Sequence, residues 1–260
     1  MAEWTLLLDV GNSRVKWAWV RDRELSEEHT GSLPHDRLGS LETLEGPAEP
    51  SQVLLASVAN ESLTGAVVAH IEERWSLTPQ RLRTGTRCGD VVNGYGKPET
   101  LGVDRWLALL GGRRRHGLPL VVMDVGSATT VDALDERGRH LGGWLLPGPA
   151  MMRDAVRRGT ALAELSEADA QTGPAQDTLT GLASGILAAQ AGALQRFLAG
   201  LPASMQAAKV VICGGGAAAV RGAILAVPQH DQPGPIEADP WLVFEGMLMV
   251  MEDEHPEVTR

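Results

Sequence analysis

Short apolar runs closed by glycine turns punctuate this chain. Residues 6–13 read Leu-Leu-Leu-Asp-Val-Gly-Asn-Ser, a buried-strand pattern that stops at turn chemistry. Beyond the turn, Val15, Trp17 and Trp19 alternate with other residues. That is the period of two that belongs to a strand, so the segment predicts a hairpin. Residues 121–128 repeat the arrangement as Val-Val-Met-Asp-Val-Gly-Ser-Ala. Thr129 to Leu134 is strand-prone again and runs into Asp135-Glu136-Arg137-Gly138, which predicts a second hairpin. A third apolar run, Lys209 to Cys213, enters Gly214-Gly215-Gly216-Ala217 and the Ala-rich start of a helix.

Two segments carry helical spacing. From Asp177 to Leu198, apolar residues recur at Leu179, Leu182, Ile186, Leu187, Leu194 and Phe197. Asp177 or Thr178 can cap its start, and Gly200 with Pro202 can stop it. The other helix is expected from about Leu101 to Leu110, ending at Gly111-Gly112. The two Asp-Val-Gly strings lie 115 residues apart, the length of a small domain, which predicts two similar halves. We expect them to span 1–115 and 116–260, the boundary falling within Gly111 to Pro119. Mixed strands and helices make the expected class α/β.

Two such turns have a specific chemical use. A tight turn of Gly and small hydroxyl residues offers several N–H groups to phosphate oxygens. An Asp at the strand end can hold a hydrated Mg²⁺, which keeps waters and takes one or two carboxylates plus phosphate. Lys16 adds a point charge for a β- or γ-phosphate. One Asp-x-Gly alone is an ordinary turn; two copies plus the downstream Gly-Gly-Gly turn point to a nucleotide site. There is no G-x-x-x-x-G-K-[ST] string and no dinucleotide fingerprint after a strand.

Composition narrows the partners. The formal charge of −10 argues against nucleic acid, where Lys and Arg supply the affinity. The basic cluster Arg113–Arg115 with His116 is expected to be a solvated helix end. Cys88 and Cys213 are too few for a disulfide framework or a metal site. No signal-peptide pattern and no stretch of roughly 18 apolar residues occurs, so a cytoplasmic protein without a membrane partner is expected. The acidic tail, Glu252 to Arg260, reads as frayed.

A further block, Asn93 to Trp106, begins as a loop and enters a helix near Thr100 or Leu101. Asp104 falls in the first turns of that helix, where the dipole favours its ionised form. An ionised carboxylate there can orient a hydroxyl and accept its proton during phosphoryl transfer. Arg105 can pair with an anionic group. The plainer reading is a capping Asp beside a surface Arg.

The string Tyr95-x-x-Pro98-x-x-Leu101-Gly102-x-Asp104-Arg105 resembles the substrate motif of type III pantothenate kinases. Asp9-x-Gly11-Asn12-Ser13-x-x-Lys16 and Asp124-x-Gly126-Ser127-Ala128-x-Thr130-x-Asp132 resemble that family's phosphate motifs. Gly142 to Gly148 resembles its Gly-Gly-x-Ile-x-Pro-Gly segment, and Thr178 with Ser184-Gly185 its pantothenate-contacting helix start. The resemblance implies two similar RNase H-like, actin-like ATPase domains with mixed sheets flanked by helices and a cleft between them. It implies phosphorylation of pantothenate to 4'-phosphopantothenate, the first step towards coenzyme A, using ATP with Mg²⁺. By the same resemblance Asp104 is the proton acceptor, and Tyr95, Gly102, Val103, Asp104, Arg105 and Thr178 contact pantothenate. Asp9, Val10, Gly11, Asn12, Ser13, Arg14, Val15 and Lys16, together with Ser127, would hold ATP. Asp124 matches a ligand for a monovalent cation, K⁺ or NH₄⁺, and a homodimer is implied. Ser13 and Ser127 stand where the family usually has Thr; each keeps the hydroxyl.

Other readings stay open. A kinase of the same fold could act on another small hydroxylated substrate. Some members of the family were named as regulatory factors, so a non-enzymatic accessory protein is the other alternative. Trp17, Trp19 and Trp106 are expected in the core or an interface, His116 and His140 to be isolated, Glu72-Glu73-Arg74 to be a solvated helix face, and Cys213 to be a buried small hydrophobe.

Overall fold

Strand β1 (Trp4–Val10) opens the chain and turns back as β2 (Arg14–Arg21), followed by β3 (Glu24–Pro34) and β4 (Gln52–Ser57). Helix α1 (Glu61–Trp75) and the short strands β5 (Gln80–Arg81), β6 (Arg87–Cys88) and β7 (Val91–Val92) lead to helix α2 (Val103–His116). After it come β8 (Leu120–Val125), β9 (Ala128–Leu134), β10 (His140–Pro147), α3 (Pro149–Gly159), α4 (Thr178–Leu198), β11 (Lys209–Cys213), α5 (Ala217–Leu225), β12 (Ile236–Ala238) and α6 (Leu242–Glu252). The fold is that of a computed structural model, which describes residues 3–35, 44, 46–160, 170–226 and 235–253. Most of the tail expected to fray, 254–260, lies outside them.

The chain divides into two compact units, Met1–Arg115 with Trp241–Arg260, and His116–Pro240. The expected halves ran 1–115 and 116–260. The last stretch goes instead with the first unit, because α6 packs on β1 and α2 there.

Each unit is built on one five-stranded mixed sheet, in the order β3-β2-β1-β4-β5 in the first and β10-β9-β8-β11-β12 in the second. In each, the strand that carries Asp-Val-Gly pairs antiparallel with the next strand and parallel with a later one. The hairpins predicted from alternation and turn residues are both present.

In the first unit Leu6, Leu8 and Val10 join Trp17, Trp19, Val53 and Leu55 in a core closed by Val67 and Ile71 of α1. Alternation puts Leu7 and Asp9 on the other face of β1, where α6 lies against the strand. Helix α2 does not end at Gly111-Gly112 but continues to His116. A Cβ on Gly111 would collide with the Leu242 carbonyl of α6, and one on Gly246 of α6 would collide with the Leu107 carbonyl of α2. The glycine is therefore a contact that lets two helix backbones touch, not a stop. The basic cluster is not a free solvated end either. Arg113 bonds Asp90 at 2.8 Å, Arg114 pairs with Glu245 and Glu252, and Arg115 bonds Glu245 at 2.9 Å.

In the second unit Val121, Met123, Val125, Val131 and Ile212 pack against Ala191, Leu194 and Phe197 of α4 and Val220 and Ile224 of α5. The two histidines expected to be isolated have partners. His116 Nε2 lies 2.8 Å from Asp239, and buried His140 Nε2 lies 2.9 Å from Asp132. Trp17, Trp19 and Trp106 are buried, Glu72, Glu73 and Arg74 are exposed, and Cys213 is buried, as expected.

Candidate active site

In the first unit the turn Gly11-Asn12-Ser13 is closed by Gly11 N–H donating to Arg14 O at 3.0 Å. Asn12, Ser13 and Arg14 are exposed, while Val10 and Val15 are buried and anchor the turn to the sheet. Asp9 sits directly across the ladder from Lys16, and their charged groups are 3.7 Å apart. Asp9 is buried and Lys16 half-exposed, so the pair offers an ammonium at the mouth of a carboxylate-lined turn.

Asn93 sets the loop before α2. It is buried, its amide donates to Gly85 O at 3.1 Å, and its Oδ1 accepts from Tyr95 N–H at 3.0 Å. The Arg105 guanidinium then lies 5.7 Å from the centre of the Tyr95 ring, a cation–π arrangement. Asp104 stands in the first turn of α2 and its Oδ1 accepts from Arg105 N–H at 2.8 Å. A Cβ on Gly102 would come within 2.5 Å of the same oxygen, so the glycine leaves room for the carboxylate. Val103 begins the helix and is buried.

One residue that sequence reasoning passed over ties these parts together. Val58, just past β4, donates its N–H to Val10 O at 3.1 Å, and its Cγ1 would be 3.9 Å from a Cβ on Gly102. It lines a cleft of ≈ 490 Å³ with Ser57, Thr84, Gly102 and Val103. No motif singles it out; the sequence shows only the apolar run Val53–Ala56 that precedes it.

In the second unit the corresponding turn is held from two sides. Gly126 N–H donates to Ala128 O at 3.0 Å, and Gly148 N–H donates to Ser127 O at 3.1 Å. A Cβ on Gly148 would lie 2.6 Å from Ser127 O, and Gly214, at φ +89°, leaves no space beside Val125 O and the Asp124 carboxylate. Gly216 N–H donates to Val125 O at 2.9 Å. The third glycine turn and the Gly142–Gly148 segment thus both close on the turn that bears Ser127. Thr178 is exposed at the first residue of α4. Asp177 caps that helix by accepting from Thr180 N–H at 2.9 Å, and this bond holds its carboxyl below the usual carboxylate range.

Neither cysteine is placed as a nucleophile. Burial, with a hydrogen bond to Asp253 second, pushes the Cys88 thiol up to about 12. Among the described residues no group of three or more His, Cys, Asp or Glu is gathered as for a metal cage.

Twin sheets of this order, each with an Asp-Val-Gly turn at the end of its first strand, define the actin-like ATPase fold. MreB 5 of Spiroplasma citri bound to AMPPNP shares it, with a TM-score of 0.50 at 10% identity, covering 97% of each chain. A Baf-family protein from Campylobacter jejuni superposes with a TM-score of 0.60 at 21% identity, over 95% of this chain and 98% of that one. The sequence profile of type III pantothenate kinases matches residues 5–200. The type III pantothenate kinase of Halorhodospira halophila is 35% identical over 254 residues, 94% of this chain and 96% of that protein. The chain belongs to the type III pantothenate kinase family.

Proposed function

We propose that the chain transfers the γ-phosphoryl group of ATP to pantothenate, giving 4'-phosphopantothenate and ADP. The observation that carries this reading is the Asp104 carboxylate at the head of α2, given room by Gly102 and set beside the Arg105–Tyr95 pair, in a chain of this family. Asp104 accepts the proton of the pantothenate hydroxyl as its oxygen bonds to phosphorus and the bond to the ADP oxygen breaks. Arg105, whose planar guanidinium lies beside the Tyr95 ring, suits the pantothenate carboxylate. Tyr95, Gly102, Val103 and Thr178 complete the acceptor contacts. Lys16 and the exposed N–H groups of Asn12 and Ser13 receive phosphate oxygens, with Ser127 adding its hydroxyl.

A kinase of this fold uses ATP together with a divalent ion, which neutralises phosphate charge when bound. Asp9 fits that role as a single carboxylate at a strand end, since Mg²⁺ takes its other ligands from phosphate and water. A monovalent cation, K⁺ or NH₄⁺, is assigned to Asp124 in this reading, from the family motif that the residue matches.

The chain acts as a homodimer in this reading. Leu141, Trp144 and Leu145 of β10, Met151 of α3 and Leu179 of α4 expose apolar surface on adjoining elements of the second unit, Leu145 to 68%. The lack of a nucleic-acid partner accords with the charge of −10, and a cytoplasmic protein without a membrane partner belongs to the same reading. Among the described residues no helix is long and apolar enough to cross a membrane.

The test is a coupled ADP-release assay with pantothenate and Mg²⁺-ATP in K⁺ or Na⁺. Pantothenate-dependent turnover that rises in K⁺ is expected. Asp104→Asn is expected to lower kcat about 100-fold or more at unchanged thermal stability. Folded wild-type protein without pantothenate-dependent turnover would overturn the activity, and equal rates in both salts would remove Asp124 from its role.

A further inference from the structure

Gln190 is fully buried in the middle of α4, on a stretch otherwise made of Ala, Gly and Leu. Its Nε2 donates to Pro147 O at 2.9 Å and reaches Met152 Sδ at 3.5 Å. Only the N–H end of an amide can face a carbonyl, so the orientation of the side chain is fixed. Its Oε1 is buried with no hydrogen-bond partner among the described residues. Burying an amide half-satisfied costs stability that an apolar side chain of the same length would not. Packing alone does not account for a glutamine here.

What the amide holds is the end of β10. Pro147 is followed by Gly148, whose N–H donates to Ser127 O at 3.1 Å and whose bare Cα sits against the backbone of Gly126 and Ser127. Two hydrogen bonds, joined by the Pro147–Gly148 peptide, thus link Gln190 to the turn. The same amide touches Met152 of α3, the helix that Gly148 begins. We propose that Gln190 is a positioning residue for ATP, acting through Pro147 and Gly148 to hold the Ser127 turn against the phosphates. The inference rests on the reading, given above, that this turn binds ATP. Thr178, the first residue of the same helix, lies about three turns away, so the acceptor contacts assigned to it stay unaffected.

Gln190→Leu keeps the volume and removes the donor. We expect the KM for ATP to rise about 5- to 10-fold, with kcat and the KM for pantothenate within about 2-fold of wild type. The midpoint of thermal unfolding should be equal or higher. A merely structural glutamine would shift stability and leave the KM for ATP where it was, and that result would overturn the proposal. If Gln190→Leu fails to fold, Gln190→Met, unbranched and of similar length, carries the same expectation; failure of both to fold would overturn it too. Calorimetric ATP affinity, measured without pantothenate, separates this inference from the activity. Weaker ATP binding by the variant supports Gln190 even if the wild type does not phosphorylate pantothenate. A folded wild type that binds no ATP would overturn both.

Discussion

In the first unit the turn after β1 takes three residues, Gly11 to Ser13, and in the second the turn after β8 takes two, Gly126 and Ser127. That one residue changes what stands opposite each aspartate. Across the ladder from Asp9 is Lys16, and across from Asp124 is Thr130. The surroundings diverge as well. Among the described residues a Cβ on Gly11 would meet only Arg14 O, at 3.5 Å, whereas the second turn is pressed by Gly148, Gly214 and Gly216. Close glycine contacts occur in the first unit too, but away from its turn: against the side chains of Trp17, Trp19 and Asp104, and at the crossing of α2 and α6. One frame was thus used twice, with the first turn left open to solvent and charged, and the second braced by backbone.

The largest effect that follows separates packing from ligand contact. Gly148→Ala should cost about 3 kcal/mol, because backbone carbonyls cannot yield to a methyl group as a side chain can. Gly11→Ala should stay within about 0.5 kcal/mol of wild type. Urea unfolding of the two variants measures this, and equal losses would break the contrast. Next in size is the charge at the first turn. Lys16→Met should raise the KM for ATP about tenfold, a loss near 1.4 kcal/mol, while Thr130→Val should change it less than about twofold. Lys16 is 39% exposed in its pair with Asp9, so the same change should alter stability by less than about 1 kcal/mol. Steady-state kinetics on both variants sharpens the comparison, and similar ATP effects would erase it.

The smallest expected effect is in the helix caps. α1 starts at Asn60, an uncharged cap that accepts from Leu63 N–H at 2.9 Å, and α4 starts at Asp177, a charged one. The Asp177 carboxyl is held below its usual range, chiefly by the Thr180 N–H. Its folded value is thus lower than its unfolded one, and the stabilisation is present above the ordinary carboxylate range of about 4. It is lost as pH falls through the depressed value. Thermal unfolding of Asp177→Asn against wild type should show a gap at pH 7 that narrows in acid, and a constant gap would count against the charged cap.

Features fixed by neighbours in sequence were legible before any coordinates. Both hairpins, the cap at Asp177 and the loop ahead of Asp104 depend on strings of a few residues. Features fixed by distant partners were not. Gly111 looked like a helix stop because its reason, the Leu242 carbonyl, lies 131 residues further on. Arg114 and Arg115 looked solvated because Glu245 is equally remote, and His140 looked isolated because alternation hides a partner on the neighbouring strand. Val58 and Gln190 carry no motif of their own. Their place is set by the Val10 and Pro147 carbonyls, which no periodicity in the sequence points to.

The return of α6 to the first unit has a consequence for biosynthesis. The ribosome releases β1 to α2 first, yet the backbone of Gly111 and the acceptor for Arg114 and Arg115 wait for Leu242 to Glu252, made after the whole second unit. The second unit, contiguous from His116 to Pro240, has all its own strands before then. The part translated first is therefore the part completed last, and a chain stopped before Leu242 lacks the closing helix of the first unit while keeping every strand of the second.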